Sequence, residues 1–484
     1  MIKKVSIKNF RGFKEIDFEA SNLTIFIGDN QTGKTSILEA INFGLSPYFL
    51  SGRIKHTDFN DGTDEPIDIL LEKEQFFNVN LPDGYTKQTV ECKGVKVEIK
   101  KRERAAPGKA FNELAVIDHY YLPMENKDQD GWVIKRKSGS EFRFDERLLS
   151  LGIAEADFLR AFYFSKDRDR QITKGFNSSF STIIDDFNWR FLKEIQKQES
   201  GKKAFHNKKN ELETEILNKL PSDKDVIKIL NGKLNQIGLS DIKISFIDPQ
   251  APFDNTYLAR QISSLDLPVK YLGSGIEMII SLLFLETLAS FSRERLVILI
   301  DEPELHLHPV LQLKLADYLL KLSQSHQIFV STHSPFFYKE CLNKQNVKTL
   351  ITKKVDDQIT CNDFTYEKLF PWSPSWGEIT FFAYDLPTIE FHDELYGYLQ
   401  EMTGKFNQDE FDDYLNIPKE KDWTPERDGS PCKSKKVTLQ TFIRNKIHHP
   451  ENSTMKSINF TAEELKESIK QMIELIKQKN IKSS

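Results

Sequence analysis

The residues Gly28-Asp29-Asn30-Gln31-Thr32-Gly33-Lys34-Thr35 satisfy the spacing G-x-x-x-x-G-K-T, between an apolar run, LTIFI, and a segment of amphipathic helical spacing. In that setting glycines let successive backbone N–H groups curl around a polyphosphate, and the start of a helix adds partial positive charge. Lys34 is then placed to reach the terminal phosphate oxygens and the Thr35 hydroxyl to take Mg²⁺, with Asn30, Gly33 and Ser36 completing the phosphate-binding set. A second group, Asp301-Glu302, closes the apolar run Leu296 to Ile300 and so delivers two carboxylates at the C-terminal end of a buried strand, where open α/β sheets bind ligands. Asp301 suits the Mg²⁺ ion; Glu302 suits a general base that polarises an attacking water, because neighbours on a strand point to opposite sides. His333 ends a further apolar strand, QIFVST, and is expected at the same sheet edge, within reach of a γ-phosphate.

These groups need a scaffold. VSIKNF and EIDFEA read as two strands around Arg11-Gly12, followed by the strand LTIFIG and a helix from Lys34. Residues 64 to 165 mix alternating runs with turn signals and read as a β-rich arm grafted onto the first half of a larger domain. From residue 185 the composition turns to Lys, Glu, Asn, Leu and Ile at helical spacing, a short helical insertion. Between Tyr271 and Val355, continuous apolar strands alternate with helices, which implies a parallel sheet covered on both faces. The expected organisation is an α/β head with a mostly parallel sheet flanked by helices, its halves at 1–184 and 241–355, an insertion at 185–240, and a mainly helical region at 356–484. The polar stretch Pro418 to Lys436 reads as a surface loop in that last region.

A chain of 484 residues with 39% hydrophobic and 29% charged side chains and a mean hydropathy of −0.47 lies in the globular range. The longest apolar runs, such as Met278 to Leu285, fall well short of the roughly 20 residues a spanning helix needs, and the N-terminus lacks a secretory h-region. The expectation is a cytoplasmic protein with no membrane partner. Cys92, Cys341, Cys361 and Cys432 form no C-x-x-C pair, which argues against a disulfide framework and a thiolate zinc site. With 67 basic and 72 acidic side chains, a nucleic-acid surface would have to be a local patch.

The order Arg11-Gly12-Phe13, G-x-x-x-x-G-K-T, Leu272-Gly273-Ser274-Gly275, I-D-E-P-E-L-H-L-H-P and S-T-H-S-P resembles the ABC-type ATPase heads of the SMC, RecF and OLD-like group. The resemblance covers residues 1 to about 355. It implies ATP with Mg²⁺ as cofactor and a homodimer, or a higher even oligomer, in which each ATP lies between the phosphate loop of one subunit and the signature of the other. On that reading Arg11 joins the nucleotide site, Ser274 and Gly275 serve the partner's nucleotide, and Glu302 and His333 are catalytic. A Gly-Ser-Gly at a helix start independently supplies N–H groups and a hydroxyl that can grip an anion, although it departs from the commoner L-S-G-G-[QE] form.

Phe162 to Arg170 resembles the segment that precedes the insertion in OLD-like ATPases, or else is a charged turn. About 50 residues of helix folded back as a hairpin reach only ~35 Å, too short for a chromosome-organising coiled coil. The compact form and the tail resemble small ATPases of prokaryotic anti-phage systems such as Septu, PARIS and ATPase-bearing retrons. Those usually act with a separate effector nuclease or toxin, so the resemblance implies for this chain a partner effector, with DNA or a phage protein as the expected input. Arg444-Asn445-x-x-x-His449 fits the R-N-x-x-x-H pattern of HEPN ribonucleases, in which Arg and His serve metal-free attack on RNA. An assembly domain in which His448 and His449 cap the last helical carbonyls is the leading alternative for the tail. A DNA-repair ATPase is a third function class.

Overall fold

The computed structural model describes residues 1–45, 54–81, 89–101, 114–121, 132–135, 137–138, 141–144, 148–149, 159–166, 207–212, 214–215, 259–262, 265–268, 273–292, 295–342, 344–355, 358–364, 368–427 and 430–483. They fall into two bodies, Met1–Leu159 with Pro309–Ser484, and Arg160–His308.

The first body opens with β1 (Ile2–Phe10) and β2 (Phe13–Glu19), an antiparallel hairpin. Strand β3 (Leu23–Gly28) is buried at every position and leads through the glycine loop into α1 (Lys34–Leu45). The arm supplies β4 (Ile67–Asn80), β5 (Thr89–Lys101), β6 (Leu114–Tyr121), a hairpin of β7 (Trp132–Lys135) with β8 (Glu141–Phe144), and β9 (Leu148–Leu149). The arm is joined to the first hairpin through β1, which pairs with β4 as well as β2, giving one antiparallel sheet in the order β2-β1-β4-β5-β6-β9. Helix α1 lies against it so closely that a Cβ on Gly44 would stand 2.9 Å from Leu71 and 3.0 Å from Ile69.

The second body holds β10 (Arg160–Phe164), the hairpin β11 (Ala259–Ile262) with β12 (Leu265–Pro268), α2 (Ser274–Ser292) and β13 (Leu296–Asp301). Phe162 to Phe164 form strand rather than a turn, pairing parallel with β13. Met278, Leu282, Leu285 and Ala289 are buried along one stripe of α2, the spacing of a core-facing helix. Of the insertion, the described residues 207–212 and 214–215 are helical; the rest of it, with the boundaries read there and residues 167–170, lies outside the described residues.

The chain then returns with α3 (Pro309–Leu322), β14 (Gln327–Ser331), α4 (Pro335–Cys341), β15 (Val347–Val355) and β16 (Gln358–Asp363). β14 and β15 flank β3, both parallel to it, and β16 is antiparallel on β15. The sheet thus runs past residue 355. Its central strands β3 and β14 are buried at every position because both faces are covered, with Thr24, Gln327 and Ser331 the polar exceptions to their apolar sequence. The Gln327 amide caps the start of β1, accepting from Ile2 N and donating to Ile2 O, each at 2.7 Å.

The tail comprises α5 (Trp376–Tyr384), α6 (Ile389–Thr403), α7 (Gln408–Leu415), β17 (Lys421–Trp423), β18 (Glu426–Arg427), β19 (Ser430–Pro431), β20 (Lys435–Val437), α8 (Leu439–His448) and α9 (Ala462–Ser483). The stretch 418–436 is therefore more than a loop: β17 pairs with β20 and β18 with β19, because Trp423 and Val437 are buried in the tail's core. Phe391, Leu395, Leu399, Phe442, Ile469 and Ile476 carry that core.

Polar groups inside it are paired across helices: Tyr396 with Thr441 at 2.9 Å, and His392 Nε2 with Ser468 Oγ at 2.9 Å. Burial pulls His392 from the ordinary imidazole range down to about 3. The unfolded chain takes up this proton near pH 6.5 and the folded one does not, so the contribution is full above pH 6.5 and lost as pH falls toward 3. We expect unfolding of α6 and α9, followed by hydrogen exchange, to become about tenfold more favourable per pH unit in that window. His392→Leu should remove that part of the slope.

Candidate functional site

The loop after β3 is a cradle that only glycine can close. Gly28 has φ +143°, and a Cβ there would stand 2.2 Å from the Thr352 carbonyl oxygen. Gly33 has φ +83°, and a Cβ there would stand 2.4 Å from the ring of Phe13, itself fully buried on β2. Between them Gln31 also takes a left-handed backbone. The Thr32 hydroxyl donates to Asp29 O at 2.7 Å and lies 2.7 Å from the Thr352 hydroxyl.

Lys34 is only 5% exposed, and its Nζ donates to Gly28 O at 2.9 Å and Asp29 O at 2.7 Å. The first turn of α1 carries no acidic residue to compete for its positive end. Thr35 and Ser36 are half-buried and Asn30 is exposed. Loop, lysine and helix start together present donors to an anion, so the residues fit a polyphosphate.

Arg11 sits beside this loop in a left-handed turn. Its guanidinium donates to Asp58 at 2.8 Å and to Ser36 Oγ at 3.3 Å, and pairs with Glu39. Burial works to lower its pKa, but Glu39 and Asp58 outweigh this and raise it. Arg11 is thus brought to the base of α1 one residue from Thr35, and the shell of Asp58 and Glu39 that holds it was not read from sequence. His333 follows β14, whose Ser331 is in register with Phe26 of β3, so it emerges level with the glycine loop. Ser334 caps α4, accepting from Phe337 N at 3.2 Å and donating to Gln312 at 2.7 Å.

In the other body Asp301 ends β13 and is 1% exposed. The strand stops there because Glu302 turns to φ +49°, starting a tight turn closed by Leu305 N to Glu302 O at 3.1 Å. Ser274 opens α2 after Gly273 at φ +95°. Gly275 packs on the same turn: a Cβ there would stand 2.7 Å from Leu307 and 3.0 Å from His306 O. The signature and the acidic strand end are therefore neighbours. Leu272 lies outside the described residues.

In the tail, Arg444 and His449 take different partners. Arg444 bonds Asn445 at 3.2 Å and lies over the Tyr396 ring, whereas His449 caps α8, approaches Glu451 at 3.3 Å and sits by Trp423. His448 does not cap carbonyls; it bonds Asp393 at 2.8 Å.

Residues 1–149 and 163–338 match the AAA ATPase domain family. The chain belongs to that family, and its head is an ATPase. Among curated proteins it is similar to the OLD nuclease of Thermus scotoductus, 25% identical over 367 residues that make up 74% of this chain and 63% of that protein. It is similar also to the endonuclease GajA of Bacillus cereus, 23% identical over 72% of this chain and 58% of that one. The chain thus spans about three fifths of these relatives. Among solved structures, an SMC head bound to the C-winged-helix domain of ScpA aligns over 76% of this chain and 98% of that one at 16% identity and a TM-score of 0.37.

Gly28→Ala is expected to destabilise the first body by about 1–3 kcal/mol, since it forces both a disfavoured φ and a clash with backbone. Chemical denaturation with a probe in α1 measures it.

Proposed function

We propose that the chain binds ATP with Mg²⁺, closes into a dimer around it, hydrolyses it slowly, and thereby governs a separate effector nuclease in anti-phage defence. The observation that carries this reading is the formed phosphate loop with its buried lysine, in a chain that matches the AAA ATPase domain family and is similar to OLD nuclease and GajA. Lys34, Thr35, Ser36, Asn30 and Gly33 serve the phosphates, with Arg11 bracing the helix that carries them. Thr35 and Asp301 are the donors suited to Mg²⁺, an ion that takes oxygen ligands and balances phosphate charge. Glu302 accepts the proton of the attacking water, and His333 at the end of β14 contacts the terminal phosphate. Ser274 and Gly275 offer a hydroxyl and helix-start N–H groups to the nucleotide of the opposite subunit.

The tail we assign to assembly or effector contact. It has its own core, and Arg444 and His449 take different partners, which favours this over a metal-free ribonuclease. DNA or a phage protein is the proposed input.

Two substitutions separate the steps. Lys34→Ala should abolish ATP binding in a direct titration, whereas Glu302→Gln should retain ATP and accumulate dimer by light scattering, with turnover reduced about a hundredfold or more. Native turnover in Glu302→Gln would remove Glu302 from the role of base. For the tail, the wild type should leave RNA intact in the presence of chelator; cleavage that disappears in His449→Ala would reverse the assignment.

A further inference from the structure

We propose that Thr352, 320 residues beyond Thr32 in the chain, is a positioning residue for the phosphate loop: its hydroxyl, through Thr32, sets the carbonyl that seats Lys34. Strands β3 and β15 run parallel with Thr352 in register with Gly28. Thr352 is fully buried. Its hydroxyl lies 2.7 Å from that of Thr32 and 3.2 Å from Ile27 O, while Thr32 lies 2.7 Å from Asp29 O.

Each hydroxyl has a single proton. The short contact of Thr32 to a carbonyl, which cannot donate, consumes the Thr32 proton. The 2.7 Å contact between the hydroxyls is then a donation from Thr352, with Ile27 O a longer alternative acceptor. The result is a directed chain: Thr352 O–H to Thr32 O–H to the Asp29 carbonyl, which also accepts from Lys34 Nζ at 2.7 Å. Such a chain strengthens its members, and it fixes the Asp29 peptide in one orientation.

A threonine whose hydroxyl merely satisfied itself in a strand would need only Ile27 O. The shorter contact goes instead to the loop, at the point where Gly28 already lets the two backbones touch. The inference rests on nucleotide binding at this loop, so its test includes a readout that does not need nucleotide.

In the full chain, Thr352→Val and Thr32→Val each remove one end of the bond at nearly constant volume, and Thr352→Ser keeps the hydroxyl. Without nucleotide, hydrogen exchange of amides 29–35 should quicken in both valine variants and stay native in the serine variant. In titrations with ATP and with ADP, Thr352→Val should bind about five- to tenfold more weakly, the size of one hydrogen bond, and Thr32→Val, which also loses the bond to Asp29 O, at least as weakly. The double variant should be no worse than the weaker single, because the two share that bond.

Native exchange and native affinity in Thr352→Val would overturn the proposal, as would equal damage from Thr352→Ser or additive losses in the double variant. If Thr352→Val fails to fold, Thr32→Val and Thr352→Ser still decide. Quickened exchange with no nucleotide binding even in the wild type would leave the latch standing and sink the nucleotide reading instead.

Discussion

The end of β3 runs so close to β15 that no side chain fits between them at Gly28. That single approach governs the phosphate loop. It demands a backbone only glycine adopts without strain, and it turns the chain out of the sheet two residues beyond the level at which β14 ends. The loop is closed at its far side by the same device, with Gly33 laid on the Phe13 ring. A helix then starts one residue later, and the start of a helix offers backbone N–H groups and partial positive charge to an anion. The geometry that could hold phosphates is thus enforced by contacts to β2 and β15, which are far apart in the chain.

Charges placed in such a site are costly. An isolated ammonium removed from water loses several kcal/mol unless other dipoles replace its hydration. For Lys34 the carbonyls of Gly28 and Asp29 do so, which keeps the charge in place and aims it along the loop. Arg11 is held differently, between two carboxylates on α1 and in the 55–62 segment, and so ties the β1–β2 hairpin to α1. At the acidic strand end, Glu302 takes a left-handed backbone, a conformation that costs on the order of 1–3 kcal/mol for a residue of its kind. Strain of this sort persists where the surrounding turn over-determines it, here through Leu305 N and the packing of Gly275 on Leu307.

The tail is built on another rule: its helices are registered by buried polar pairs as much as by apolar fit. Asp412 accepts from the Thr438 hydroxyl at 2.7 Å and the Thr438 N–H at 3.3 Å, so a buried carboxylate caps the positive end of α8. Glu378, 1% exposed, gathers Leu369 N, Ser373 Oγ and Ser375 N and so freezes the entry into α5. Left unsatisfied, each of these groups would cost more than it gains when paired, so the helices have one acceptable register.

Local spacing was enough to place the glycine loop between a strand and a helix, Asp301 at a strand end, His333 just past a strand, and the helix stripes, because each is a pattern within ten or so residues whose physics is carried by the neighbouring chain. The parallel strands were legible for the same reason: runs such as LTIFI and LVILI are apolar on both faces. What sequence did not reveal depends on pairing at long range. That β1 and β2 belong to the arm's sheet follows from the β1–β4 register, and alternation alone does not say which strand comes next to which. The strands at 421–437 were hidden because three-residue pairs leave almost no periodicity. Arg444 and His449 looked like a pair from spacing, but the end of α8 and the rings of Tyr396 and Trp423 direct them to different partners. Thr352 carried no local signal at all, since one threonine in a strand is ordinary; only the parallel register that sets it beside Gly28 brings its hydroxyl to Thr32.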